Sequence, residues 1–444
     1  MTKEELLTKK VSAISLGCDK NRVDLENMLG KIKHFGFEIT EEIEDANIII
    51  VNTCAFIQPA VKEGIDNILL ALKQKKNACE KVIVCGCIVE RYENEISKEI
   101  PEVDAYVKVS ENSKIVEKIL ELYEVDAKIK ETSARVLTTA PHIAYLKIAD
   151  GCDNCCSYCT IPRIRGRYKS TPIDDLVKEA KNLAEQGVKE LIVVAQDTTR
   201  YGTDIYDKPM LVPLLEKLCQ IKEIKWIRLH YLYPEMVNVE LLNFIVNQPK
   251  ICDYIDIPLQ HIDEKILKSM NRRNNEEQAR ELVKMIKENY PQITVRTTFI
   301  VGYPGESKKQ FKKLVQFLKD NNLENVGFFP YYKEEKTKAY FLKKQNTNYK
   351  KLLRLKKIQK VQYQIANNIN SSRVGEEIMV LVDKFDNQTG YYICHDEANS
   401  PNIDFEILLD GNSDVVCGNF YKVKLVDYQN QTFIGEVLWT HLTN

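Results

Sequence analysis

The stretch "DGCDNCCSYCTIPRIRGRYKS", residues 150–170, contains four cysteines within eight residues. One interpretation divides them into two C-x-x-C pairs, Cys152 with Cys155 and Cys156 with Cys159, which would form a zinc knuckle or a redox dithiol. A structural zinc site usually separates its two pairs by about a dozen residues or more, so that two loops approach the ion from opposite sides. Here the pairs are contiguous, and this spacing argues against zinc.

A second interpretation groups Cys152, Cys156 and Cys159 as C-x-x-x-C-x-x-C and leaves Cys155 as a bystander. One loop then supplies three thiolates to an iron–sulfur cluster and leaves one iron without a protein ligand. An iron with an open position can hold a substrate or a cofactor. The spacing, with the aromatic Tyr158 before the last cysteine, resembles the radical S-adenosylmethionine signature.

The composition is that of a soluble, multidomain protein. A length of 444 residues, with 44% hydrophobic and 29% charged residues, predicts two or three domains. The start, "MTKEELLTKKVSAISLGC", lacks the apolar segment of a signal peptide, and no run approaches a membrane span, so we expect a cytoplasmic protein. Thirteen cysteines in a reducing compartment indicate metal or thiolate chemistry rather than a disulfide framework.

Three more cysteines each follow a predicted strand. The apolar, β-branched runs "VSAISLGC", "ANIIIVNTC" and "KVIVCGC" are typical of buried parallel strands, and they end at Cys18, Cys54 and Cys87. Glycines precede the first and last of these cysteines and allow a tight turn there. Amphipathic helical patterns follow the three runs, at residues 23–37, 57–73 and 89–100.

This alternation predicts an α/β fold with a doubly wound parallel sheet in an amino-terminal domain, residues 1–125. The carboxyl ends of its strands share one edge, where ligands bind, so we expect the three cysteines to converge on a second iron–sulfur cluster. The alternative is that cysteine is only a small buried hydrophobe at these positions. We adopt that alternative for Cys79 and Cys85.

The middle of the chain, residues 140–372, repeats a strand–helix unit after a polar linker near residues 125–141. Six strand-like runs alternate with helical stretches: "AYLKIADG", "ELIVVAQD", "KWIRLHYL", "YIDIPLQH", "TVRTTFIVG" and "NVGFFPYY". Six such units predict an open, partial (β/α)6 barrel. The three-cysteine loop follows the first strand, on the edge where barrels of this kind place their active site.

Polar residues also follow the other strands of the predicted barrel. They include Asp197, His230 and Tyr231, and the segment "GYPGE" at 302–306, which lacks the G-K-[ST] of a phosphate loop. Each is weak evidence alone, and a histidine at a strand end is more often structural than catalytic. Because they share one edge, we expect five residues to contact a cofactor: Tyr158, Gln196, Gln260, His261 and Gly302.

The last region, residues 373–444, predicts a small antiparallel β-barrel from the runs "EIMVLVDKF", "YKVKLVDY" and "FIGEVLW". It holds 4 Lys+Arg and 12 Asp+Glu, a net charge of −8, whereas residues 1–372 carry +7. Such a barrel would repel nucleic-acid phosphates and attract a basic partner. A purely solubilising acidic surface is the open alternative.

Together these features resemble the RimO and MiaB family of methylthiotransferases over essentially the full length, with a cysteine-bearing domain, a radical S-adenosylmethionine barrel and a TRAM domain. "SLGCDKNRVDLE", "LHYLYP", "PLQH" and "NSPNIDF" are most similar to the RimO branch. Asp19 and Leu25 depart from the family's usual proline and serine, and Gly390-Tyr391 departs from its usual "GR".

The resemblance implies that a methylthio group is inserted at the β-carbon of one aspartate in small-subunit ribosomal protein S-twelve. It implies two [4Fe-4S] clusters and S-adenosylmethionine. The open iron at Cys152, Cys156 and Cys159 would bind S-adenosylmethionine and deliver one electron, and a 5′-deoxyadenosyl radical would abstract the hydrogen. The second cluster, with ligands Cys18, Cys54 and Cys87, would carry or pass on the sulfur.

Further expectations concern partners. The resemblance implies an electron donor such as flavodoxin or ferredoxin and a sulfur donor, whereas a membrane or a tRNA partner is not expected. The basic loop of Arg163, Arg165, Arg167 and Lys169 would receive a carboxylate, unless it is only a solvated turn. Two other functions stay open: a tRNA methylthiotransferase with the same cluster ligands, and a non-enzymatic electron carrier.

Overall fold

The computed structural model describes residues 1–438, and its amino-terminal unit is the predicted parallel sheet. The sheet has five strands in the order β2-β1-β3-β4-β5, and every pairing is parallel. Its central strand is buried along its whole length, because helices cover both faces and leave room only for an apolar run. The strands are β1 (Lys10–Ser15), β2 (Glu38–Ile39), β3 (Ile48–Thr53), β4 (Lys81–Gly86) and β5 (Ala105–Val107).

Five helices accompany this sheet: α1 (Lys3–Leu6), α2 (Asp19–Phe35), α3 (Gln58–Lys73), α4 (Cys87–Glu99) and α5 (Ile115–Leu122). Helices α2 and α4 begin immediately after β1 and β4, where Gly17 and Gly86 adopt φ of 88° and 89°. Glycine suits both turns because other residues rarely adopt these angles.

The linker that follows α5 packs against the neighbouring helices and is held there by ion pairs. Arg135 is buried and forms an ion pair with the buried Glu26 of α2, with an Nε–Oε2 distance of 2.9 Å, and its Nη1 lies 2.8 Å from Glu179. The backbone of Ala134 passes so close to Gly30 that a Cβ there would lie 1.9 Å from its carbonyl oxygen. The linker therefore fastens α2 to the middle unit.

The middle unit is an open, six-stranded parallel sheet with outer helices, as expected for a partial barrel. The order β13-β12-β11-β10-β9-β6 follows the chain, so each strand pairs with the next one in sequence. Its strands are β6 (Ile143–Lys147), β9 (Glu190–Val194), β10 (Trp226–Leu229), β11 (Ile251–Asp256), β12 (Thr294–Val301) and β13 (Asn325–Pro330), and a small antiparallel hairpin adds β7 (Ala149–Asp150) and β8 (Lys169–Ser170).

The helices of this unit are α6 (Ile161–Ile164), α7 (Ile173–Glu185), α8 (Leu211–Cys219), α9 (Val239–Asn247), α10 (Glu264–Ser269), α11 (Glu276–Asn289), α12 (Lys308–Asn321) and α13 (Asn348–Ser372). Their apolar faces and the outward side chains of the strands form the largest hydrophobic core of the chain. No helix within residues 1–438 is long and apolar enough to cross a membrane.

The carboxy-terminal unit is a closed five-stranded barrel. Its strands are β14 (Glu377–Asp386), β15 (Tyr391–His395), β16 (Glu406–Asp410), β17 (Phe420–Gln429) and β18 (Thr432–Val437). Four pairings are antiparallel as predicted, but β16 and β18 pair in parallel and close the barrel. Trp439, the end of the predicted strand "FIGEVLW", lies outside the described residues.

Candidate functional site

The cysteine loop lies directly after the first barrel strand. Gly151 has a φ of 71°, and a Cβ there would stand 2.0 Å from the carbonyl oxygen of Arg167. The Cys152 amide donates to the Gly166 carbonyl at 3.1 Å, which closes the loop at its base. Cys155 has a φ of 51° and its residue is exposed. This geometry sets Cys155 apart from the other three cysteines.

Cys152, Cys156 and Cys159, which we call the loop site, influence one another electrostatically. The pKa of Cys152 is raised to about 11, chiefly by burial and in smaller part by the charge of Cys156. Burial and then Cys156 also raise the pKa of Cys159. Metal ions bind deprotonated thiols and neutralise their charge, so a cation bound at this site would oppose the rise in these pKa values.

Two donors that sequence reasoning missed point at this site. The Tyr233 hydroxyl lies 2.9 Å from Cys156 Sγ. The guanidinium of Arg272 is buried and lies over the Tyr233 ring, with Nη1 3.9 Å from the same sulfur. Hydrogen bonds to cluster sulfur atoms tune reduction potential. Tyr233 belongs to the quoted run "LHYLYP", but no spacing in the sequence connects Arg272 to the loop.

Several polar side chains around the loop site lack partners within the described part of the chain. Both amide atoms of Gln196 and of Asn274, the Nε of Arg272 and one oxygen of Glu235 are buried without a hydrogen bond. Nearby, the amide of Asn154 donates to Asp197 at 2.8 Å. Buried polar groups normally have partners, so this set suits a polar ligand such as S-adenosylmethionine.

The second three-cysteine group, the sheet site, lies where three neighbouring strands end. Cys18 caps α2 after β1, Cys54 follows β3, and Cys87 begins α4 after β4, and these strands are adjacent in the order β1-β3-β4. A Cβ on Gly17 would lie 2.8 Å from Cys54 Sγ. The pKa of Cys87 is raised to about 12, chiefly by burial and in smaller part by the charges of Cys54 and Cys18.

Arg165 connects the two sites and is not the substrate-facing residue that was predicted. Its side chain is 1% exposed and lies 2.8 Å from Asp24 of α2 and 2.9 Å from Asp150 beside the cysteine loop. Its charge lowers the pKa of Cys54 and Cys87, although burial dominates both values. Arg165 is therefore not available to a carboxylate of a ligand, because the carboxylates of Asp24 and Asp150 already pair with its guanidinium.

The remaining predicted cofactor residues occupy different environments. Tyr158 packs in the apolar cluster that contains Tyr303. Gln260 has a φ of 67° and bridges to β12 through Phe299. Tyr158 belongs to the cysteine loop itself, Gln196 precedes Asp197, whose carboxylate accepts from Asn154 of that loop, and Gln260 remains at a strand end.

His261 and Gly302 take part in a structural network behind the site. His261 is fully buried, its Nδ1 accepts from the Asp263 amide at 2.9 Å, and its Nε2 lies 3.7 Å from Glu306. The Gly302 amide donates to the same Glu306 carboxylate at 2.7 Å. His230 is likewise buried, and its Nε2 lies 3.0 Å from the Ser400 hydroxyl.

Neither three-cysteine site of the described chain has the arrangement expected around a single metal ion. Within residues 1–438, no three histidine, cysteine or carboxylate side chains converge as they would around one metal ion. In a [4Fe-4S] cluster each cysteine binds a different iron, so its sulfur ligands stand farther apart than around a single ion. The side chains offered at both sites are thiols, which suits an iron–sulfur cluster, and the assignment of six ligands stays a prediction.

A cavity of about 530 Å³ lies where the three units meet. Asp19 and Gly17, the neighbours of Cys18, line it together with Tyr145 of β6 and residues of the carboxy-terminal barrel such as Glu406. Asp404 also lines it, but its carboxylate is only 6% exposed and pairs with Arg296 at 3.2 Å. Among these acidic residues Glu406 is exposed to solvent.

Comparison with known families agrees with this three-part architecture. The radical SAM superfamily matches residues 146–318, the uncharacterized protein family UPF0004 matches 10–108, and the TRAM domain matches 374–438. The ribosomal protein uS12 methylthiotransferase RimO of Caldicellulosiruptor saccharolyticus is 41% identical and covers 97% of this chain and 100% of its own. The protein of the same name from Alkaliphilus oremlandii is 43% identical and covers 91% and 93%.

Solved structures show the same fold at low identity. The radical S-adenosylmethionine methyltransferase TsrM from Kitasatospora setae, solved with cobalamin and a [4Fe-4S] cluster, has a TM-score of 0.53 at 13% identity and covers 72% of this chain and 75% of its own. The cobalamin-dependent S-adenosylmethionine radical enzyme OxsB has a TM-score of 0.51 at 14% identity and covers 80% and 57%.

Proposed function

Because this chain belongs to the family of ribosomal protein uS12 methylthiotransferases, we propose that it adds a methylthio group to the β-carbon of one aspartate in ribosomal protein uS12. The observation that carries the proposal is the presence of two separate three-cysteine sites joined through Arg165. The aliphatic C–H bond of the substrate is too inert for acid–base chemistry, so the reaction requires a cofactor.

The proposed cofactors are one [4Fe-4S] cluster at each site and S-adenosylmethionine at the loop site. When bound, they supply a 5′-deoxyadenosyl radical from one-electron cleavage and the sulfur for transfer. The thiolates of each site would hold a cluster, and the Tyr233 hydroxyl and Arg272 guanidinium would stabilise the charge on Cys156. The amides of Gln196 and Asn274, which are buried without a partner, would be available to orient the polar groups of S-adenosylmethionine.

The substrate is proposed to enter the three-unit cavity as a loop of a basic protein. The carboxy-terminal barrel carries a net charge of −8, which attracts a ribosomal protein and repels RNA. The cavity reaches the neighbours of Cys18, so a bound loop would approach the sheet site. A ribosomal substrate would be met in the cytoplasm, and an electron donor and a sulfur donor complete the proposal.

Mass spectrometry of a reconstituted reaction tests this function. Enzyme loaded with iron and sulfide is incubated with S-adenosylmethionine, dithionite and either uS12 or tRNA. We expect one methylthio group on an aspartate of uS12 and unmodified tRNA adenosines. Methylthiolated tRNA without a mass gain on uS12 would overturn the proposal in favour of the tRNA branch.

Single variants of the cysteine loop provide the controls. Cys156→Ala should abolish cleavage of S-adenosylmethionine, since three thiolates leave no spare ligand. Cys155→Ala should retain cleavage, because this residue is exposed outside the site. Equal loss in both variants would contradict the ligand assignment. Charge reversal of the exposed Glu406 and Asp410 to lysine should weaken uS12 binding and its salt dependence without affecting cleavage.

A further inference from the structure

The segment from Lys333 to Gln345 covers one side of the cysteine loop. The amide of Ala339 donates to the carbonyl oxygen of Ser157 at 2.7 Å, and Ala339 belongs to the apolar cluster against which Tyr158 packs. The segment is thus in direct contact with the residues between Cys156 and Cys159. Anything bound to its outer face would lie next to the loop site.

The outer face of this segment is strongly basic. Its sequence, "KEEKTKAYFLKKQ", contains five lysines, and all five are exposed. Of its two glutamates, Glu334 is 2% exposed and pairs with Arg91 at 3.2 Å, so Glu335 is the one that faces solvent. Among the lysines, Lys336 and Lys344 adopt positive φ of 62° and 64° at the turns that flank the central helical turn.

A large aromatic residue stands in the middle of this basic face. Phe341 is 75% exposed, which is the highest exposure among the large hydrophobic residues of the described chain. Its ring stacks edge-on against Tyr340 at 5.1 Å, and Lys333 lies over the Tyr340 ring at 4.3 Å. An exposed aromatic residue surrounded by charged residues is typical of an interaction surface and not of a loop that contacts only solvent.

The basic surface continues on the other side of the cysteine loop. Lys268 and Arg273 are exposed, and between them the Asn271 side chain donates to the carbonyl oxygen of Cys155 at 3.0 Å. The amide of Ser157 donates to the Met270 carbonyl at 2.9 Å. We call the whole surface, residues 333–345 with Lys268 and Arg273, the lysine rim. It borders the loop site on two sides.

We propose that the lysine rim is the docking surface for an acidic one-electron carrier protein that reduces the cluster of the loop site. This inference rests on the proposed function, which requires such an electron. One electron leaves the reduced carrier and enters the cluster, and it is consumed when the carbon–sulfur bond of S-adenosylmethionine breaks into methionine and the 5′-deoxyadenosyl radical. The carrier leaves oxidised by one electron.

Position favours a carrier protein over a nucleic acid at this surface. Electron transfer weakens steeply with distance, so a donor must dock where little protein covers the cluster. The rim meets this condition, because the Ala339 amide and the Asn271 side chain, which lies between Lys268 and Arg273, both donate to carbonyl oxygens of the cysteine loop. Phosphate binding has no such requirement. Encounters between redox partners are small and electrostatically steered, which suits a compact patch of lysines around one aromatic residue.

Binding and electron transfer are measured separately in the test. The variant Lys338→Glu/Lys343→Glu/Lys344→Glu reverses three charges of the rim, and Lys178→Glu/Lys181→Glu/Lys222→Glu reverses three exposed lysines on and near helices α7 and α8 as a matched control. The probe is a flavodoxin of net negative charge. Its Kd for the cluster-free full chain is measured by fluorescence anisotropy at low and high salt.

The rim variant should bind flavodoxin at least about tenfold more weakly at low salt than the wild type, with a reduced salt dependence, while the control variant binds as the wild type does. In reconstituted enzyme, flavodoxin-driven formation of 5′-deoxyadenosine should fall in the rim variant, and dithionite-driven formation should not change. Phe341→Ser should weaken flavodoxin binding without altering its salt dependence.

Equal flavodoxin affinity in the rim variant, the control variant and the wild type would overturn the proposal. Loss of binding to a small-subunit ribosomal RNA fragment, with flavodoxin binding unchanged, would assign the rim to nucleic acid and also overturn it. Failure of the proposed function would give a different experimental result. Wild-type enzyme would then cleave S-adenosylmethionine with dithionite but leave uS12 unmodified, and the docking measurements would keep their meaning.

Discussion

At the scale of single residues, the hydroxyl of Tyr233 is the closest polar neighbour of a loop-site sulfur. Tyr233→Phe removes a donor 2.9 Å from Cys156 Sγ and should shift the cluster potential to a more negative value, since a hydrogen bond to a ligand sulfur stabilises the reduced, more negative cluster. An EPR-monitored redox titration measures the shift. Tyr290→Phe, which loses only a hydrogen bond to Asn243, is the control, and an equal potential in both variants would contradict the assignment.

Arg165 forms buried ion pairs whose loss should lower the stability of the fold. Arg165→Met removes the buried guanidinium from Asp24 and Asp150, which keep Lys147 as a partner, and should lower the free energy of unfolding by roughly 1.5–3 kcal/mol. Urea denaturation gives the value. Arg167→Met, at an exposed neighbouring position, should change it by less than about 0.5 kcal/mol. Equal free energies of unfolding for the two variants would show that the ion pairs of Arg165 do not stabilise the fold.

Residue spacing explains which site residues the sequence could predict. The loop cysteines lie on one short stretch, and Cys18, Cys54 and Cys87 follow strands whose shared edge is a general property of parallel sheets. Tyr233 and Arg272 are 77 and 116 positions from Cys156, and only the curvature of the barrel brings them together. Arg165 looked solvent-facing because its partner Asp24 belongs to another unit.

At the scale of elements, the hairpin of β7 and β8 sets the shape of the cysteine loop. Gly151→Ala places a Cβ 2.0 Å from a backbone carbonyl and should displace the loop, with loss of iron from the loop site. Gly166→Ala in the same hairpin has a similar φ of 73° but no atom within 4 Å, so it should cost only about 1 kcal/mol of strain. The iron content per chain is measured for both variants. Equal iron content would show that the loop accommodates the Cβ of Gly151→Ala without moving the cysteines.

The elements that the sequence predicted well are those with continuous apolar runs. All three predicted strands of the first sheet and all six of the barrel are present, because burial on both faces requires such runs. Strands β15 and β16 were not predicted, since they are short and contain polar residues at the barrel surface. The parallel pairing of β16 with β18 could not be predicted, because neither strand's sequence indicates the direction of its partner. The domain boundaries stay predictions.

At the scale of the whole molecule, a buried charge network holds the TRAM barrel against the radical SAM barrel. His395 of β15 lies 2.5 Å from Glu190 of β9 and 2.8 Å from Asp383 of β14. Arg228 is fully buried, pairs with Glu190 at 2.8 Å and donates to the carbonyl oxygens of Asp396 and Glu397. Burial alone would lower the pKa of His395, but the two carboxylates outweigh it and raise the pKa to about 9.

This raised pKa predicts a loss of stability in alkali. The contribution of protonated His395, on the order of 3 kcal/mol, is fully present below about pH 6.5 and is lost as pH rises through about 9. Thermal unfolding between pH 6 and 10 should show this step, and the variant His395→Gln should lack it. An identical pH profile in the variant and the wild type would remove His395 as the cause.

The ion pair between Arg135 of the linker and Glu26 of α2 predicts how the protein responds to proteolytic cleavage of the linker. Lys128 and Lys130 are exposed and precede Arg135, so a protease that cuts there leaves Glu26 and Arg135 on different fragments. The ion pairs of Arg135, Arg165 and Arg91 all span that cut. Nicked protein should therefore elute as one particle in size-exclusion chromatography and separate only in denaturant, which makes the enzyme a natural candidate for reconstitution from two separately produced halves.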